Sequence, residues 1–232
     1  MKDKELAFVN IILFVILIVL AIVSINNQQT VSVFLSQEQP IYKVDTNDKV
    51  LGIMCNVYWG TEYIEPYLNL FDELNVKATF FIGGSWAADN PELVEKIYKS
   101  GHEIGNHGYS HKLASKNDYS TMKNELLKTD QLLTQICGRK PTLYAPPSGD
   151  FNKDTIEIAM NNGYNTIMWS IDTIDWRDKD TEQIKRRISD NVKPGAFILL
   201  HPTKNTLDAL TQIIPELKEE QFEFKTISDM LK

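Results

Sequence analysis

From residue 49 to residue 232, short runs of β-branched and aromatic residues alternate with segments in which apolar residues recur at helical spacing. The first pattern is typical of strands and the second of amphipathic helices. Repeated strand–helix units predict an α/β fold with parallel strands and right-handed crossovers. Predicted strands cover residues 50–55, 78–82, 102–105, 142–145, 166–171, 197–200 and 222–227. Predicted helices cover residues 64–74, 91–100, 122–136, 154–162, 181–192 and 206–219, the last bent at Pro215.

Residues 6–25 are almost wholly apolar and are long enough to cross a bilayer as a helix. Lys2 and Lys4 precede this run and the next cation is Lys43, so the positive-inside rule places residues 1–5 in the cytoplasm and the remainder outside. We expect an uncleaved signal-anchor in the cell membrane. A cleaved signal peptide is the alternative, but the run is longer than the usual signal core and its exit is a poor cleavage site.

Residues 26–48 are rich in Gln, Ser and Asn, which predicts a polar linker. Residues 49–232 are enough for one domain with a full core. The net charge of -7 and the absence of a Lys/Arg cluster argue against nucleic acid or anionic lipid as a partner. Cys55 and Cys137 are expected to be small buried residues and not the halves of a disulfide.

Two of the four histidines, His107 and His111, lie four residues apart. On a helical turn, imidazoles at this spacing project from one face and can bind one metal ion, and zinc commonly takes such nitrogen donors. The same spacing arises on ordinary solvated helices, so both interpretations stay open. A third histidine, His201, ends a separate apolar run and favours the metal site.

Unusual polar residues stand at or just after the ends of predicted strands. In a β/α barrel these C-terminal strand ends form the active-site face. One polar residue after a strand is the ordinary start of a loop, whereas several together predict a shared site. They are Asn56, His107, the Pro146-Pro147-Ser148-Gly149 turn, Asp172 and His201.

At these positions the chain resembles the polysaccharide deacetylases of carbohydrate esterase family 4, the NodB-homology domains, over residues 49–232. The resemblance implies a distorted, incomplete (β/α) barrel of the NodB type, preceded here by the one predicted transmembrane helix. It also implies removal of acetyl groups from N-acetylated sugars of peptidoglycan or chitin-like polymers. The motifs that carry it are Asn75-Val-Lys-Ala-Thr-Phe-Phe-Ile-Gly83, Gly101-His-Glu-Ile-Gly-Asn-His-Gly-Tyr-Ser-His111, Pro146-Pro-Ser-Gly149, Trp169-Ser-Ile-Asp-Thr-Ile-Asp-Trp176 and Ile198-Leu-Leu-His201.

The resemblance also implies roles for individual residues. His107 and His111 would bind a divalent metal, with zinc expected first, and His201 would be the general acid. Asp172 matches the carboxylate that orients this histidine, with Asp175 as the alternative. Such a metal polarises the acetyl carbonyl and acidifies water, while the histidine protonates the departing amine.

Aromatic residues near the motifs are candidates for the sugar groove. Trp169 and Trp176 are expected to form its walls, as flat amphipathic rings can, although either could be a core residue. Pro147 and Tyr109 are further substrate-binding candidates. The expected partner is an N-acetylated polysaccharide.

Three positions depart from the family pattern. The first family motif, Phe-Asp-Asp-Gly, supplies a base and a metal-binding aspartate, and it aligns with Cys55-Asn56-Val57-Tyr58. Ala145 stands where the third motif carries an arginine that holds the base aspartate. These losses agree with one another, because an arginine without its aspartate would be a buried unpaired charge. A sporulation-associated sub-group has similar Asn-Val-x-Trp-Gly and Ala-Pro-Pro-Ser-Gly patterns, and the chain resembles it.

Two hypotheses remain. In the first, the protein is still a metal-dependent polysaccharide N-deacetylase, and Asp150 or Glu62 replaces the missing ligand or base. The surviving His and Asp residues favour this hypothesis slightly. In the second, it is a glycan-binding or scaffold protein without turnover and without a bound metal, which the lost motif residues favour. A lipase or protease is disfavoured, since no Gly-x-Ser-x-Gly elbow is present and Cys55 lacks a supporting motif.

Overall fold

The computed structural model describes residues 39–232. The predicted signal-anchor and most of the predicted linker lie outside these residues. Within residues 39–232, no helix has both the length and the apolar composition that crossing a bilayer requires.

Within this part of the chain, eight parallel strands form one sheet. The hydrogen-bonded order is β5-β4-β3-β2-β1-β7-β6, and β8 pairs with the beginning of β1. The path starts at β5 and ends at β6, so the sheet is a half-barrel, and the predicted incomplete barrel is confirmed. The strands are β1 (Val50–Val57), β2 (Thr79–Ile82), β3 (Glu103–Asn106), β4 (Leu143–Tyr144), β5 (Asn165–Thr166), β6 (Ile171–Asp172), β7 (Phe197–Leu200) and β8 (Glu223–Lys225).

Helices connect the strands and cover the sheet. Several begin at side chains that accept a hydrogen bond from the first turn, as Asp118, Asn152, Asp180 and Thr203 do. The helices are α1 (Thr61–Glu73), α2 (Gly84–Asp89), α3 (Pro91–Lys99), α4 (Tyr119–Cys137), α5 (Lys153–Asn161), α6 (Thr181–Ser189), α7 (Lys204–Glu219) and α8 (Ile227–Met230). Short 3₁₀ turns occur at Ala114–Lys116 and Pro147–Gly149.

Alternation along β1 divides the core. Ile53, Cys55 and Val57 pack in the large cluster beneath the helices, whereas Met54 packs in a second cluster with Phe81 of β2. Successive side chains of a strand point to opposite faces, and both faces of this sheet are covered. Because both faces are covered, the sequence of β1 is almost continuously apolar up to Asn56.

The predicted strand 166–171 is wrong as a single element. Thr166 of β5 pairs with Tyr144, whereas Ile171 of β6 pairs with Ile198, and these two strands lie at opposite ends of the sheet order. The mainly apolar segment 166–171 gives no sign of where the chain leaves one strand and enters another. Helix α2, which lies between β2 and α3, was not predicted.

The predicted linker extends too far into the domain. Ile41 is 9% exposed, and its N–H donates to the Thr166 carbonyl at 2.9 Å. Val44 N–H donates to the Gly195 carbonyl at 2.9 Å. The segment therefore contacts both the β5 end and the β7 side of the half-barrel. Cys55 and Cys137 are both free thiols, but only Cys55 is buried as predicted, whereas Cys137 is partly exposed.

Candidate functional site

A cavity of about 590 Å³ lies at the C-terminal ends of the strands. Its position agrees with the active-site face of β/α barrels. Its volume is within the range of small-ligand sites. It is lined by Asn56, Tyr58, Trp59, His107, His111, Ser148, Trp169, Asp172, Trp176, Leu199 and His201.

His107 is held by the backbone just beyond β3. Its side chain is 2% exposed, and its Nδ1 lies 2.8 Å from the carbonyl oxygen of Ala145. A carbonyl only accepts, so Nδ1 carries the proton and Nε2 keeps a free lone pair. Burial, and then the neighbouring His111, lowers the pKa of His107 to about 3. The ring is therefore neutral at pH 7, the state in which imidazole binds metal.

His111 reaches the same cavity from a loop, so its expected place on one helical turn with His107 is wrong. Residues 107–113 follow β3 without helix, and His111 adopts a left-handed φ of 55°. The two rings nevertheless come together, with centroids 5.2 Å apart. Burial is the first cause that lowers the pKa of His111, followed by the charge of His201.

The carboxylate of Glu125 shapes this loop. From α4, its Oε2 accepts hydrogen bonds from the backbone N–H groups of Tyr109 and Ser110. The two amides lie between the histidines in sequence. This buried carboxylate thus helps to hold the chain between His107 and His111, together with the Gly84 and Ser85 N–H groups, which donate to the Gly108 and Tyr109 carbonyls.

His201 follows β7 and is paired with Asp175. Its Nδ1 and its backbone N–H both donate to the Asp175 carboxylate, each at 2.7 Å, and Thr206 Oγ1 donates to it at 2.7 Å. Asp175 is the orienting carboxylate, so the first choice, Asp172, is wrong in this role. Asp172 accepts from Ile174 N–H at 2.8 Å and lines the cavity. Nε2 of His201 remains for a ligand.

Tryptophans form much of the cavity wall. Trp59 stacks on His201 with ring centroids 5.7 Å apart and planes 6° from parallel. Trp59 is 44% exposed and Trp176 is 55% exposed, which is unusual for large apolar side chains. Gly149 has a φ of 66° and lies against Trp169, where an added Cβ would come within 2.6 Å of the ring. Glycine is therefore required for Trp169 to reach its place.

Two substrate-binding candidates do not line the cavity. Pro147 is buried beside Gly108. Tyr109 faces Lys128, whose Nζ lies 3.4 Å from the ring centroid.

The two candidate replacement carboxylates are also absent from the cavity lining. Asp150 accepts a hydrogen bond from Ser115 N–H at 2.8 Å, and Glu62 is exposed on α1. Val57, aligned with the metal-binding aspartate, is fully buried in the large core cluster. Alternation along β1 turns the side chains of Asn56 and Val57 to opposite faces of the sheet, so Asn56 lines the cavity and Val57 does not.

The donor set does not complete the usual metal site of this chemistry. Catalytic zinc sites use three protein ligands and an open position. His107 and His111 supply two imidazoles, and the described residues contain no group of three or more His, Cys, Asp or Glu side chains placed to bind one ion.

Several lining residues were missed by sequence reasoning. Tyr58 packs 5.2 Å from the His111 ring and accepts a hydrogen bond from Ser85 Oγ at 2.6 Å. Trp59, Ser148 and Leu199 also line the cavity. Trp59 belongs to the Asn-Val-x-Trp-Gly pattern, which could have identified it. Leu199 had no signal, because nothing distinguishes a cavity-facing Leu from a core Leu in a sequence.

The sequence is similar to those of polysaccharide deacetylases. The family model described as polysaccharide deacetylase matches residues 43–167. The chain is 33% identical over 197 residues to a peptidoglycan-N-acetylglucosamine deacetylase of Bacillus cereus, covering 82% of this chain and 92% of that protein. It is 38% identical over 195 residues to YlxY of Bacillus subtilis, an uncharacterized protein, covering 84% of this chain and 61% of YlxY.

Among solved structures, similarity extends to a pseudoenzyme. A family 4 carbohydrate esterase pseudoenzyme from Bacillus anthracis is 34% identical, with a TM-score of 0.82, covering 84% of this chain and 70% of that one. A mutant of this pseudoenzyme described as having restored enzymatic activity also superposes with a TM-score of 0.82. The fold is thus shared by active and inactive relatives.

Proposed function

This chain belongs to the polysaccharide deacetylase family, and on that premise we propose that its domain binds N-acetylated cell-wall glycan in the cavity but is impaired in hydrolysis. The observation that carries the proposal is the side chain of Asn56, which lines the cavity at the position of the family's base. An amide cannot take a proton as a carboxylate does. With Val57 and Ala145 at two further motif positions, the base, a metal ligand and the base's partner are replaced together.

The remaining features of the cavity favour binding. Trp59, Trp169 and Trp176 present broad apolar faces beside polar groups, which suits a sugar ring with its apolar faces and polar rim. The relatives named as peptidoglycan deacetylases and the pseudoenzyme relative support an N-acetylated glycan as the ligand class. The predicted signal-anchor would hold the domain at the outer face of the membrane, beside the cell wall.

Calorimetric titration of the full-length chain with an N-acetylglucosamine hexamer, in the presence of a chelator, tests this proposal. We expect saturable binding in this titration and, in a parallel incubation with added zinc and no chelator, no acetate release. Trp176→Ala should weaken binding at least about threefold, because aromatic faces contribute strongly to ligand contact. The matched control is Tyr42→Ala, an aromatic residue 43% exposed that does not line the cavity. Absence of binding by the unmodified chain would refute the proposal.

Metal-dependent deacetylation is the second candidate. It is favoured by the free Nε2 of His107, the adjacent ring of His111 and the Asp175–His201 pair. Metal content of the full-length chain separates the two candidates. Stoichiometric metal that is lost in His107→Ala, together with acetate release, would favour the enzyme. A metal-free chain that still binds the hexamer would favour the binding protein.

A further inference from the structure

Asp172 places a carboxylate at the cavity wall that the histidine site does not use. Its Oδ1 accepts the hydrogen bond from Ile174 N–H at 2.8 Å. Within residues 39–232, no group donates to its Oδ2, and the residue is only partly buried, so this oxygen is accessible. Because Asp175 orients His201, Asp172 remains free to contact a ligand.

The rest of the cavity wall does not balance this charge. Apart from its histidines, the wall consists of Asn, Tyr, Trp, Ser and Leu, and no Lys or Arg of residues 39–232 lines it. Burial lowers the pKa of both His107 and His111, which favours their neutral forms. A proton gained at Nε2 of His201 is balanced by the bonded Asp175 carboxylate. A negative charge therefore remains at Asp172, and apolar walls strengthen its attraction for a cation.

One cation near this wall is already paired. Arg177 lies with its guanidinium 5.7 Å from the ring centroid of Trp176, and its Nε donates to Asp178 at 3.0 Å. Its side chain is 59% exposed, so water and salt screen the remaining field. The contact with Trp176 also shows that a tryptophan of this wall accepts a cation on its face.

We propose that the cavity prefers a sugar whose acetyl group has already been removed, and that Asp172 Oδ2 accepts a charge-assisted hydrogen bond from its ammonium group. This inference rests on the proposed function and narrows its ligand to a partly deacetylated glycan. The tryptophan faces suit the sugar ring and also favour its cation.

The preferred ligand is then the product of amide hydrolysis. In that reaction water adds to the acetamido group, acetate leaves, and the freed amine takes up a proton. An active deacetylase must supply this product, so the protein would recognise glycan on which such an enzyme has already acted.

Calorimetric titration of the full-length chain, at about pH 6 with chelator present, compares two β-1,4-linked hexamers. One is the N-acetylglucosamine hexamer, and the other has glucosamine at alternate sugars, whose amines are protonated at this pH. We expect the unmodified chain to bind the second hexamer at least about fivefold more tightly, as one charge-assisted hydrogen bond can provide. Asp172→Asn keeps an acceptor for Ile174 N–H but removes the charge, so the ratio of the two affinities should fall to about one.

Asp154→Asn is the matched control. Asp154 is exposed in the first turn of α5 and does not line the cavity. Its replacement removes one negative charge, as Asp172→Asn does, and so measures the general attraction of a chain with net charge -7 for a cationic ligand. The ratio of affinities should stay that of the unmodified chain.

The outcomes separate the two proposals. If the unmodified chain binds neither hexamer, the proposed function and this inference both fail. If it binds both equally, or the fully N-acetylated hexamer more tightly, the proposed function stands and this inference alone is overturned. The same holds if the preference for the amine survives in Asp172→Asn, or if Asp154→Asn reduces it equally, since the overall charge of the chain would then attract the amine.

Discussion

At the scale of single residues, the proposal of impaired hydrolysis concerns three positions together. In the sequence alignment with the family motifs, Asn56, Val57 and Ala145 stand where the base, a metal ligand and the arginine that holds the base are expected. Ala145 still supplies the carbonyl that orients His107. The His107 ring is therefore held in place without any of the three motif residues' expected side chains.

Restoring the family motif should restore hydrolysis. Asn56→Asp, Val57→Asp and Ala145→Arg together should raise acetate release from the N-acetylglucosamine hexamer by about 10²-fold or more, the typical effect of a general base. Single replacements should do less, since interacting residues are not additive. The pseudoenzyme relative with restored activity sets a precedent for such recovery.

Val57 makes this experiment demanding, because its side chain is buried in the large core cluster. A carboxylate there must turn toward the histidines or remain buried without a partner. The triple variant should therefore melt at a lower temperature than the unmodified chain and recover when zinc is added. A triple variant that folds, binds zinc and releases no acetate would show that the motif alignment is wrong.

Asp175 should matter more to stability than His201. The carboxylate is fully buried and accepts three hydrogen bonds, so Asp175→Ala should lower the free energy of unfolding by about 3 kcal/mol. His201→Ala leaves the backbone N–H and Thr206 donors in place and should lose about 1 kcal/mol. Urea denaturation measures both.

In the triple variant, His201→Ala should abolish turnover while hexamer binding persists. A larger stability loss for His201→Ala than for Asp175→Ala would make His201 a structural residue.

At the scale of elements, helix α4 helps to hold the loop that carries His107 and His111 into the cavity. Glu125 of α4 bonds the amides of Tyr109 and Ser110, between the two cavity histidines. Glu125→Leu should speed hydrogen exchange at both amides and lower the free energy of unfolding by about 2 kcal/mol, because charge-assisted bonds are lost. Glu125→Gln, which can still accept, is the control. Unchanged exchange in the Leu variant would assign the loop's order to other contacts.

The starts of β2 and β3 are joined by a histidine that must stay neutral. His102 accepts from Ala78 N–H at 3.2 Å through Nδ1, and burial lowers its pKa to about 4. Between pH 6.5 and 4 the unfolded chain binds this proton and the folded chain does not, so stability falls as the pH falls.

The His102 contribution can be isolated by substitution. From pH 7 to pH 4.5, His102 should account for a loss of up to about 3 kcal/mol. His102→Asn keeps an acceptor for Ala78 N–H but does not titrate, so its loss over this range should be smaller by about that amount. Denaturant titrations at the two pH values measure the difference. Equal losses in both proteins would mean that His102 is not kept neutral by the fold.

At the scale of the whole molecule, residues 6–25 stay a predicted signal-anchor. Because the apolar run is long enough to span a bilayer and its cations precede it, the domain should face the outside of the cell. Protease added to intact spheroplasts should remove the domain and leave a small membrane-bound fragment. A soluble mature protein beginning near residue 25 would identify a cleaved signal peptide instead.

The sequence alone determined the order of strands and helices, the α/β class and the strand ends that bear polar residues, because hydrophobic periodicity follows from local backbone geometry. It also determined the family, since the motifs around His107, His111 and His201 keep their spacing. Where the periodicity was ambiguous, prediction failed: the run at 166–171 is two strands at opposite ends of the sheet.

Tertiary structure decided how the site is assembled. Which of Asp172 and Asp175 meets His201, whether His111 lies on a helix or a loop, and whether Asp150 and Glu62 reach the cavity all depend on contacts between residues far apart in the chain. The motif also did not show that the side chain of Val57 points into the core and not into the cavity. These side-chain positions depend on packing across the sheet and on single hydrogen bonds to residues far away in the chain. The local sequence therefore does not predict them.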